Sequence, residues 1–313
     1  MQKTRGVNPE NLPLVSVVIP AFNAAAFIER TLDSVHAQTY SSYDIIVVDD
    51  GSSDDTHEVV EHYFKRHGMS GQCIRQINKK IAAARNTGMR AARGAYIALL
   101  DHDDLWHPEK LAVVMREFEL HPEADLICHN ENITLNSRVL RVSRNGPGVR
   151  DMYECLLFSG NRLSPSATVL RRDKVLAIGG FCENPDFNTV EDYDFWMRLS
   201  KTAKFHFLDR VLGEYQVVDR AASRQVEYHY SNMEKMLQTH FSAYFGDSPG
   251  VIARLRIRRR LSMVYRSALG HLMEYKESKE NQRQYVFKML RTFPIEPKNL
   301  ARAGLWAFQT FRK

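Results

Sequence analysis

The feature that most constrains the fold is a regular alternation of short apolar runs with helical patterns over the first hundred residues. The runs that have the length of buried strands are Val15–Pro20, Asp44–Asp50, Gln72–Ile77 and Tyr96–Asp101. Between them, Ala24–Gln38 has apolar residues at helical spacing and Ile81–Ala92 is rich in alanine. Continuous apolar strands that alternate with helices are typical of parallel sheets covered on both faces. The sequence therefore predicts an α/β, Rossmann-like protein with a mostly parallel sheet.

The pattern changes after about residue 124. Leu126–His129 is predicted to be a strand, and Asn132–Arg144 alternates like a hairpin that turns near Asn136 and Ser137. Glu191–Leu199 is predicted to be a short helix. From Tyr228 onward almost everything has helical spacing. We therefore expect a C-terminal helical extension after the α/β part.

Charge is distributed unevenly along the chain. The formal net charge is +6, but residues 251–313 carry 15 basic and 4 acidic residues, whereas residues 1–250 carry 28 basic and 33 acidic residues. A protein that binds nucleic acid through most of its surface is excluded by this slightly acidic body. The charge pattern predicts an acidic body with a basic helical tail, and no nucleic-acid partner is expected.

The basic tail has more than one interpretation. Five arginines crowd between Arg254 and Arg260, and a run of this kind is most often a solvated helical face. The segment Leu300–Phe311 combines aromatic and basic residues, which is typical of peripheral contact with an anionic membrane. The same segment could instead pack on the catalytic domain, and the sequence leaves these alternatives open.

Composition indicates the compartment. No stretch approaches the roughly 20 apolar residues that a membrane-spanning helix needs, and the N-terminus lacks the apolar core of a signal peptide. The four cysteines lie far apart without the spacing of a metal or redox motif, which is typical of reduced thiols. We expect a cytoplasmic protein, either free or at the inner face of the membrane.

Acidic residues follow two of the predicted strands. The second strand ends in Asp49-Asp50-Gly51, and the fourth ends in Asp101-His102-Asp103-Asp104. Ligands of open α/β sheets bind beyond the carboxyl ends of the strands, so the two clusters are expected to meet there. Carboxylates with little support from cysteine or histidine favour a hard divalent cation, such as Mn²⁺ or Mg²⁺ bridged to phosphates.

Five segments with these residues resemble the motifs of one enzyme family. They occur in the order Val15–Asn23 (VSVVIPAFN), Ile45–Thr56 (IIVVDDGSSDDT), Ala82–Gly88 (AAARNTG), Gly94–Trp106 (GAYIALLDHDDLW) and Glu191–Arg198 (EDYDFWMR). Together they resemble the family-two glycosyltransferases of the GT-A fold, over roughly residues 14–215. The resemblance implies a nucleotide-diphospho-sugar transferase fold. It places a nucleotide-sugar half at about 14–125, an acceptor half at about 126–225, and the helical extension at 226–313.

The resemblance also implies roles for individual residues. The nucleotide-binding positions are Pro20, Phe22, Asp50, Arg85, Asp101 and His102. A carboxylate at Asp50 can accept the N3–H of uracil, which favours a UDP-sugar, although thymine presents the same group. Asp103 is the first choice for the metal ligand and Asp101 the second. Many relatives add a histidine from a later motif, but Val218 stands at that position here.

The catalytic base is implied by the Glu191-Asp192 pair. Asp192 corresponds to the base that takes the proton of the acceptor hydroxyl, and Glu191 to its neighbour, which orients it or contacts the acceptor. Direct displacement by the activated hydroxyl inverts the anomeric centre. The resemblance thus predicts a metal-dependent inverting enzyme that moves one sugar to a glycan or lipid-linked glycan in polysaccharide biosynthesis.

Other functional classes remain as alternatives. A nucleotidyltransferase also uses an acidic α/β site, but it usually has a phosphate loop rich in Gly, Lys and Arg near the first strand, which Ala21–Phe27 is not. A signalling receiver-like domain is suggested by Ile45–Asp50 alone, yet receivers place their acidic pair after the first strand. A nucleic-acid-binding module would depend only on the basic tail.

Overall fold

The structure is a computed structural model that describes residues 12–217 and 226–311. By its contacts the chain divides into two compact units. The sheet unit contains residues 12–152, Arg162–Glu183 and Phe195–Val217, and the helical unit contains Tyr153–Asn161, Asn184–Asp194 and 226–311. The boundary predicted between residues 225 and 226 falls at the edge of a segment outside the described residues, and it stays a prediction.

The sheet unit holds nine strands. They are β1 (Val15–Ala21), β2 (Tyr43–Asp49), β3 (Gly71–Arg75), β4 (Tyr96–Leu99), β5 (Leu105–Trp106), β6 (Leu126–Leu135), β7 (Arg138–Ser143), β8 (Thr168–Arg171) and β9 (Phe205–Gln216). The order in the sheet is β3-β2-β1-β4-β8-β6-β9-β5, and β7 pairs with β6. The first four strands are mutually parallel, as the continuous apolar runs predict.

The second half of the sheet differs from the predicted mostly parallel arrangement. β8 runs antiparallel to both β4 and β6, β7 runs antiparallel to β6, and β5 runs antiparallel to β9. Only β6 and β9 pair in parallel in this half. The sheet is therefore mixed, because β8 is inserted between two strands that run in the same direction.

Helices cover both faces of the parallel half. The helices of this half are α1 (Ile28–His36), α2 (Thr56–His67), α3 (Lys80–Ala91) and α4 (Lys110–Leu120). Val17 and Ile19 of β1 pack with α1, α2 and α4, whereas Val18 faces α3. A Cβ atom at Gly88 of α3 would overlap the side chain of Val18, so this glycine permits a close approach of helix and strand. The predicted two-sided coverage is confirmed.

The remaining helices are shorter elements and the C-terminal set. They are α5 (Met152–Ser159), α6 (Arg172–Ala177), α7 (Glu191–Leu199), α8 (Val226–Phe245), α9 (Val251–Glu274), α10 (Lys279–Thr292) and α11 (Pro297–Phe311). In the helical unit, α9 packs against α8, α10 and α11 through buried residues such as Val264, Ala268 and Leu272. The predicted helical extension is confirmed.

The arginine run at the start of α9 is more than a solvated face. Arg260 is buried, and its guanidinium donates hydrogen bonds to the Leu157 carbonyl at 3.1 Å and to the Tyr193 hydroxyl at 3.1 Å. Arg256 pairs with Glu154 and lies 3.8 Å from the centre of the Phe158 ring. Arg256 and Arg260 therefore connect α9 to other segments of the helical unit.

Candidate active site

The carboxyl ends of β1 and β2 are joined by hydrogen bonds between the loops that follow them. The Asp50 amide donates to the Ala21 carbonyl at 2.8 Å, and the Asn23 amide donates to the Ser52 hydroxyl at 2.9 Å. Pro20 is buried at the end of β1, whereas Phe22 is 45% exposed just beyond it. Two predicted nucleotide-binding residues therefore lie beside Asp50, with an aromatic ring open to solvent.

Asp50 is buried and held in one orientation. Its Oδ1 accepts a hydrogen bond from Gln76 Nε2 at 2.7 Å and another from the Lys79 amide at 2.9 Å. Gln76 in turn accepts a hydrogen bond from the Thr87 hydroxyl of α3 at 2.7 Å. The carboxylate is thus fixed by the segment that enters α3, which is the kind of preorganisation that a base-recognition group needs.

The acidic loop, residues 101–104, follows β4 and is fixed from two sides. The Asp101 amide donates to the Ser166 hydroxyl at 3.0 Å. On the other side, the buried Thr31 hydroxyl of α1 lies 2.8 Å from the His102 carbonyl and 3.0 Å from the Asp104 carbonyl. Neither Ser166 nor Thr31 belongs to the recognised motifs, so sequence reasoning missed both.

His102 connects the acidic loop to β1. Its Nδ1 lies 3.1 Å from the Pro20 carbonyl, and because a carbonyl oxygen only accepts, the ring proton is on Nδ1. His102 is therefore not an ordinary exposed histidine. Whether it also contacts ribose or diphosphate stays a prediction.

Arg85 of α3 reaches the same loop. Its side chain is 2% exposed, and its guanidinium donates to Asp101 Oδ1 at 2.7 Å. The guanidinium also lies 5.2 Å from the centre of the Phe181 ring. The predicted partner of the nucleotide thus forms a buried ion pair with one of the predicted metal ligands.

Negative charge is concentrated on the acidic loop. Burial raises the pKa of Asp103, and the charge of Asp101 adds to the rise while His102 opposes it. Burial raises the pKa of Asp104 further, with Asp101, Glu131 and Asp103 contributing. A cation bound here would relieve this repulsion, so the carboxylate set fits a hard divalent metal.

Asp103 and Asp104 have different surroundings. Asp104 is buried, and both of its oxygens are bonded: Oδ2 accepts from the Ser166 hydroxyl at 2.6 Å and Oδ1 from the Gln216 amide at 3.0 Å. Asp103 is only half-buried. Asp104 therefore holds the loop, whereas the role of Asp103 as a metal ligand stays a prediction.

Two buried ionisable residues contribute to the electrostatics around the acidic loop. Burial raises the pKa of Glu131 in β6 to about 7. Burial also lowers the pKa of Lys110 in α4 well below its usual value, and Lys110 Nζ lies 3.3 Å from the centre of the Trp106 ring. No motif contains either residue, and Glu131 reaches the acidic loop only through the order of the strands.

Glu191 and Asp192 lie in the helical unit, in the first turn of α7. Glu191 is buried, and Asp192 Oδ2 accepts a hydrogen bond from Asn161 Nδ2 at 3.2 Å. Carboxylates in a first helical turn are stabilised as anions by the helix dipole. In the same turn, Asp194 Oδ1 lies 3.0 Å from His240 Nε2. The predicted base thus lies in the first turn of the predicted helix, while Val218, at the position of the absent histidine, lies outside the described residues.

The family model for glycosyl transferase family 2 matches residues 16–178, which is more than half of the chain. The chain belongs to this family. The matched range runs from the second residue of β1 through β8 and contains every predicted nucleotide and metal residue. The recognition as a family-two glycosyltransferase is confirmed, and this family replaces the receiver-like interpretation of Ile45–Asp50, which lies within the matched range.

Individual relatives agree with this family. The chondroitin synthase of Escherichia coli is 28% identical over 214 residues, covering 67% of this chain and 30% of that protein. The first curated relatives are much longer, and the chain spans less than a third of their length.

Solved structures agree with the fold. S. aureus TarS 1–349 in complex with UDP-GlcNAc superposes with a TM-score of 0.67 at 18% identity, covering 95% of this chain and 91% of that one. A mannosyltransferase from Pyrobaculum calidifontis, in complex with GDP-Man and Mn²⁺, superposes with a TM-score of 0.60 at 18% identity, covering 97% and 83%. The predicted GT-A fold is confirmed. Within residues 12–217 and 226–311, none of the glycosyltransferase's helices is long and apolar enough to cross a membrane.

Proposed function

We propose that this glycosyltransferase moves one sugar from a nucleotide-diphosphate sugar to a hydroxyl of a glycan or lipid-linked glycan, with inversion, in polysaccharide biosynthesis. The observation that carries the proposal is the arrangement of Asp50, Arg85 and the acidic loop beyond β1, β2 and β4. Open α/β sheets bind nucleotides beyond the carboxyl ends of their strands, which is where these residues lie. The chondroitin synthase among the relatives supports a polysaccharide product.

The donor is proposed to be a UDP-sugar. Asp50 is acceptor-only when ionised, and its fixed carboxylate suits the N3–H of uracil. Phe22, exposed beside it, offers a ring on which a base can stack. The UDP-GlcNAc complex of the structural neighbour TarS supports this assignment. A dTDP-sugar presents the same N3–H, and a GDP-sugar is the ligand of the other neighbour.

A divalent cation, Mn²⁺ or Mg²⁺, is proposed to bind Asp103 with Asp101 as the second ligand. The carboxylates of the acidic loop fit such an ion because burial and the neighbouring charge of Asp101 raise the pKa of Asp103, and a cation would offset that charge. When bound, the cation neutralises the charge that develops on the diphosphate leaving group. Arg85 holds Asp101 in place for this role through their 2.7 Å contact.

The chemistry that we assign to the protein is proton removal and orientation. Asp192 accepts the proton of the acceptor hydroxyl as that oxygen forms a bond to the anomeric carbon. The bond from this carbon to the diphosphate oxygen breaks at the same time, and the nucleoside diphosphate leaves with the electron pair. Asn161 orients the Asp192 carboxylate by its hydrogen bond, and Glu191 is proposed to orient it further or to contact the acceptor.

A panel of nucleotide sugars tests this proposal. Binding and slow hydrolysis would be measured with and without Mn²⁺ for the wild type, Asp103→Ala and Asp192→Asn. We expect UDP-sugars to bind, Asp103→Ala to lose the metal-dependent part of binding, and Asp192→Asn to bind normally but to turn over at least 100-fold more slowly. Asp186→Asn, at an exposed position of the helical unit, is the control. Unchanged turnover in Asp192→Asn would contradict its assignment as the base.

We also propose that α11 contacts the anionic inner face of the membrane. Leu300, Leu305 and Phe308 lie on one side of this helix and are each 45–57% exposed. Lys298 is exposed at the border of this side. An exposed apolar helical face with neighbouring basic residues suits an anionic lipid surface. A lipid-linked acceptor would be presented at such a surface.

A further inference from the structure

Two histidines and a glutamate converge at the end of α4, away from every motif of the family. Glu117 lies in the last turn of α4, and His121 follows at the helix end, with its amide donating to the Glu117 carbonyl at 2.8 Å. His206 comes from the start of β9. Among the described residues, this is the one group of three or more potential metal ligands whose ligand atoms all lie within 4.8 Å of one another.

The distances within the group point to a shared ligand. His121 Nε2 and His206 Nε2 each lie 3.7 Å from the same atom, Glu117 Oε2. This is too long for a hydrogen bond, which has donor and acceptor at about 3 Å. Nitrogen and oxygen ligands at about 2.1 Å from a tetrahedral zinc ion lie about 3.4 Å apart. Each histidine nitrogen is therefore at nearly the distance from Glu117 Oε2 that two ligands of one ion have, and the ligand atoms of the three residues all lie within 4.8 Å of one another.

The two imidazole rings contact each other beside Glu117. The rings are stacked, with centroids 4.0 Å apart and an angle of 26° between their planes. The group is partly buried, since the side chains of Glu117 and His206 are 21% and 29% exposed.

A second carboxylate faces the other nitrogen of His121. Glu123 Oε1 lies 3.6 Å from His121 Nδ1, on the opposite side of the ring from Glu117. Histidines that bind metals commonly donate their second ring N–H to a carboxylate, which fixes the tautomer and strengthens the ligand. A small rotation of Glu123 completes this arrangement.

The group lies at the opposite end of the strands from the acidic loop. His206 pairs with Ile127 near the start of β6, and β6 runs parallel to β4 because both are antiparallel to β8. The acidic loop follows the end of β4. A metal at His206 therefore takes no part in nucleotide binding.

We propose that Glu117, His121 and His206 bind one zinc ion, with water as the fourth ligand and Glu123 supporting His121. One carboxylate and two imidazoles form a donor set that binds zinc in preference to Mg²⁺ or Ca²⁺. The ion links the end of α4 to the start of β9 and stabilises the sheet unit.

Titration of the metal-free chain with Zn²⁺ alone, followed by calorimetry, tests the proposal. We expect one equivalent to bind without nucleotide, and saturating Zn²⁺ to raise the unfolding temperature. His121→Gln and His206→Gln should each weaken binding at least 100-fold, and Glu123→Gln about 10-fold. Co²⁺ in place of Zn²⁺ should give visible absorption bands that disappear in the same variants.

Two control variants separate this site from other metal sites. His67→Gln alters the other pair of neighbouring histidine rings in the sheet unit, His36 and His67, whose centroids lie 5.2 Å apart. Asp103→Ala alters the proposed nucleotide-metal site. Both controls should bind Zn²⁺ as the wild type does, with folding checked by circular dichroism. Binding that persists in His206→Gln, or that is lost equally in His67→Gln, would overturn the proposal, as would the absence of stoichiometric binding.

Discussion

The guanidinium of Arg85 lies 2.7 Å from Asp101 Oδ1, and the arginine side chain is almost fully buried while the aspartate is about one-fifth exposed. The pair joins α3 to the acidic loop, so a residue proposed to bind the nucleotide also positions a residue proposed to bind metal. The positive charge also offsets part of the repulsion within the acidic loop. Stability and donor binding are therefore expected to change together at this pair.

A double-mutant cycle on this pair should give a large coupling. Arg85→Met or Asp101→Asn alone should each lower the free energy of unfolding by about 3 kcal/mol, because each single variant disrupts a buried ion pair. The double variant should lose less than the sum, with a coupling of about 2 kcal/mol. Chemical denaturation without metal or nucleotide measures these values.

The pair Arg93–Asp44 in the same unit is the matched control. Its atoms lie 3.3 Å apart, but the Arg93 side chain is 73% exposed, so solvent screens the interaction. Its coupling should stay below about 1 kcal/mol. Equal couplings for the two pairs would show that burial of Arg85 is not what strengthens the contact.

Ser166→Ala should weaken metal-dependent donor binding. Its hydroxyl accepts from the Asp101 amide and donates to Asp104 Oδ2, so the change removes two bonds that fix the acidic loop. We expect about a 10-fold loss of donor affinity with Mn²⁺, as for other groups that orient metal ligands. Thr168→Val removes a buried hydroxyl two residues away that bonds only the Pro165 carbonyl among the described contacts, and it should leave the affinity unchanged. Similar losses in both variants would indicate general destabilisation.

Glu131 should make stability depend on pH between about 5 and 7. Burial raises its pKa from 4.5 to about 7, so the folded state binds a proton that the unfolded state has released. Stability from this group is full below the unfolded pKa and is lost as the pH rises through the folded pKa. Between pH 5 and 7.5, Glu131→Gln should therefore gain about 2 kcal/mol of unfolding free energy relative to the wild type. A constant difference across this range would contradict the raised pKa.

Local patterns predict most of the fold but not its strand order. The bounds of α7 and the turn at Asn136 and Ser137, where both residues have positive φ, agree with their sequence signals. The pairing of β8 between β4 and β6 has no local signal, because it depends on which strands come together over long sequence separations. Ser166 and Glu131 reach the acidic loop only through this order. The motifs therefore single out Asp50, Arg85 and Asp103 as candidates, but they do not contain Ser166 or Glu131, which bond to the acidic loop or alter its electrostatics.

Membrane contact of α11 should be sensitive to its exposed apolar side chains. Phe308→Glu and Leu300→Glu should each lower the partitioning of the full chain onto vesicles of neutral and anionic phospholipid at least 10-fold. Each change removes about 1.5–3 kcal/mol of apolar burial in the membrane and adds a negative charge that anionic lipid repels. Leu176→Glu, at an exposed apolar position of α6, is the control and should partition as the wild type does. Flotation at increasing salt should weaken wild-type binding, because the basic residues of the tail act through screened attraction. If α11 only covers the helical unit, both α11 variants will float like the control.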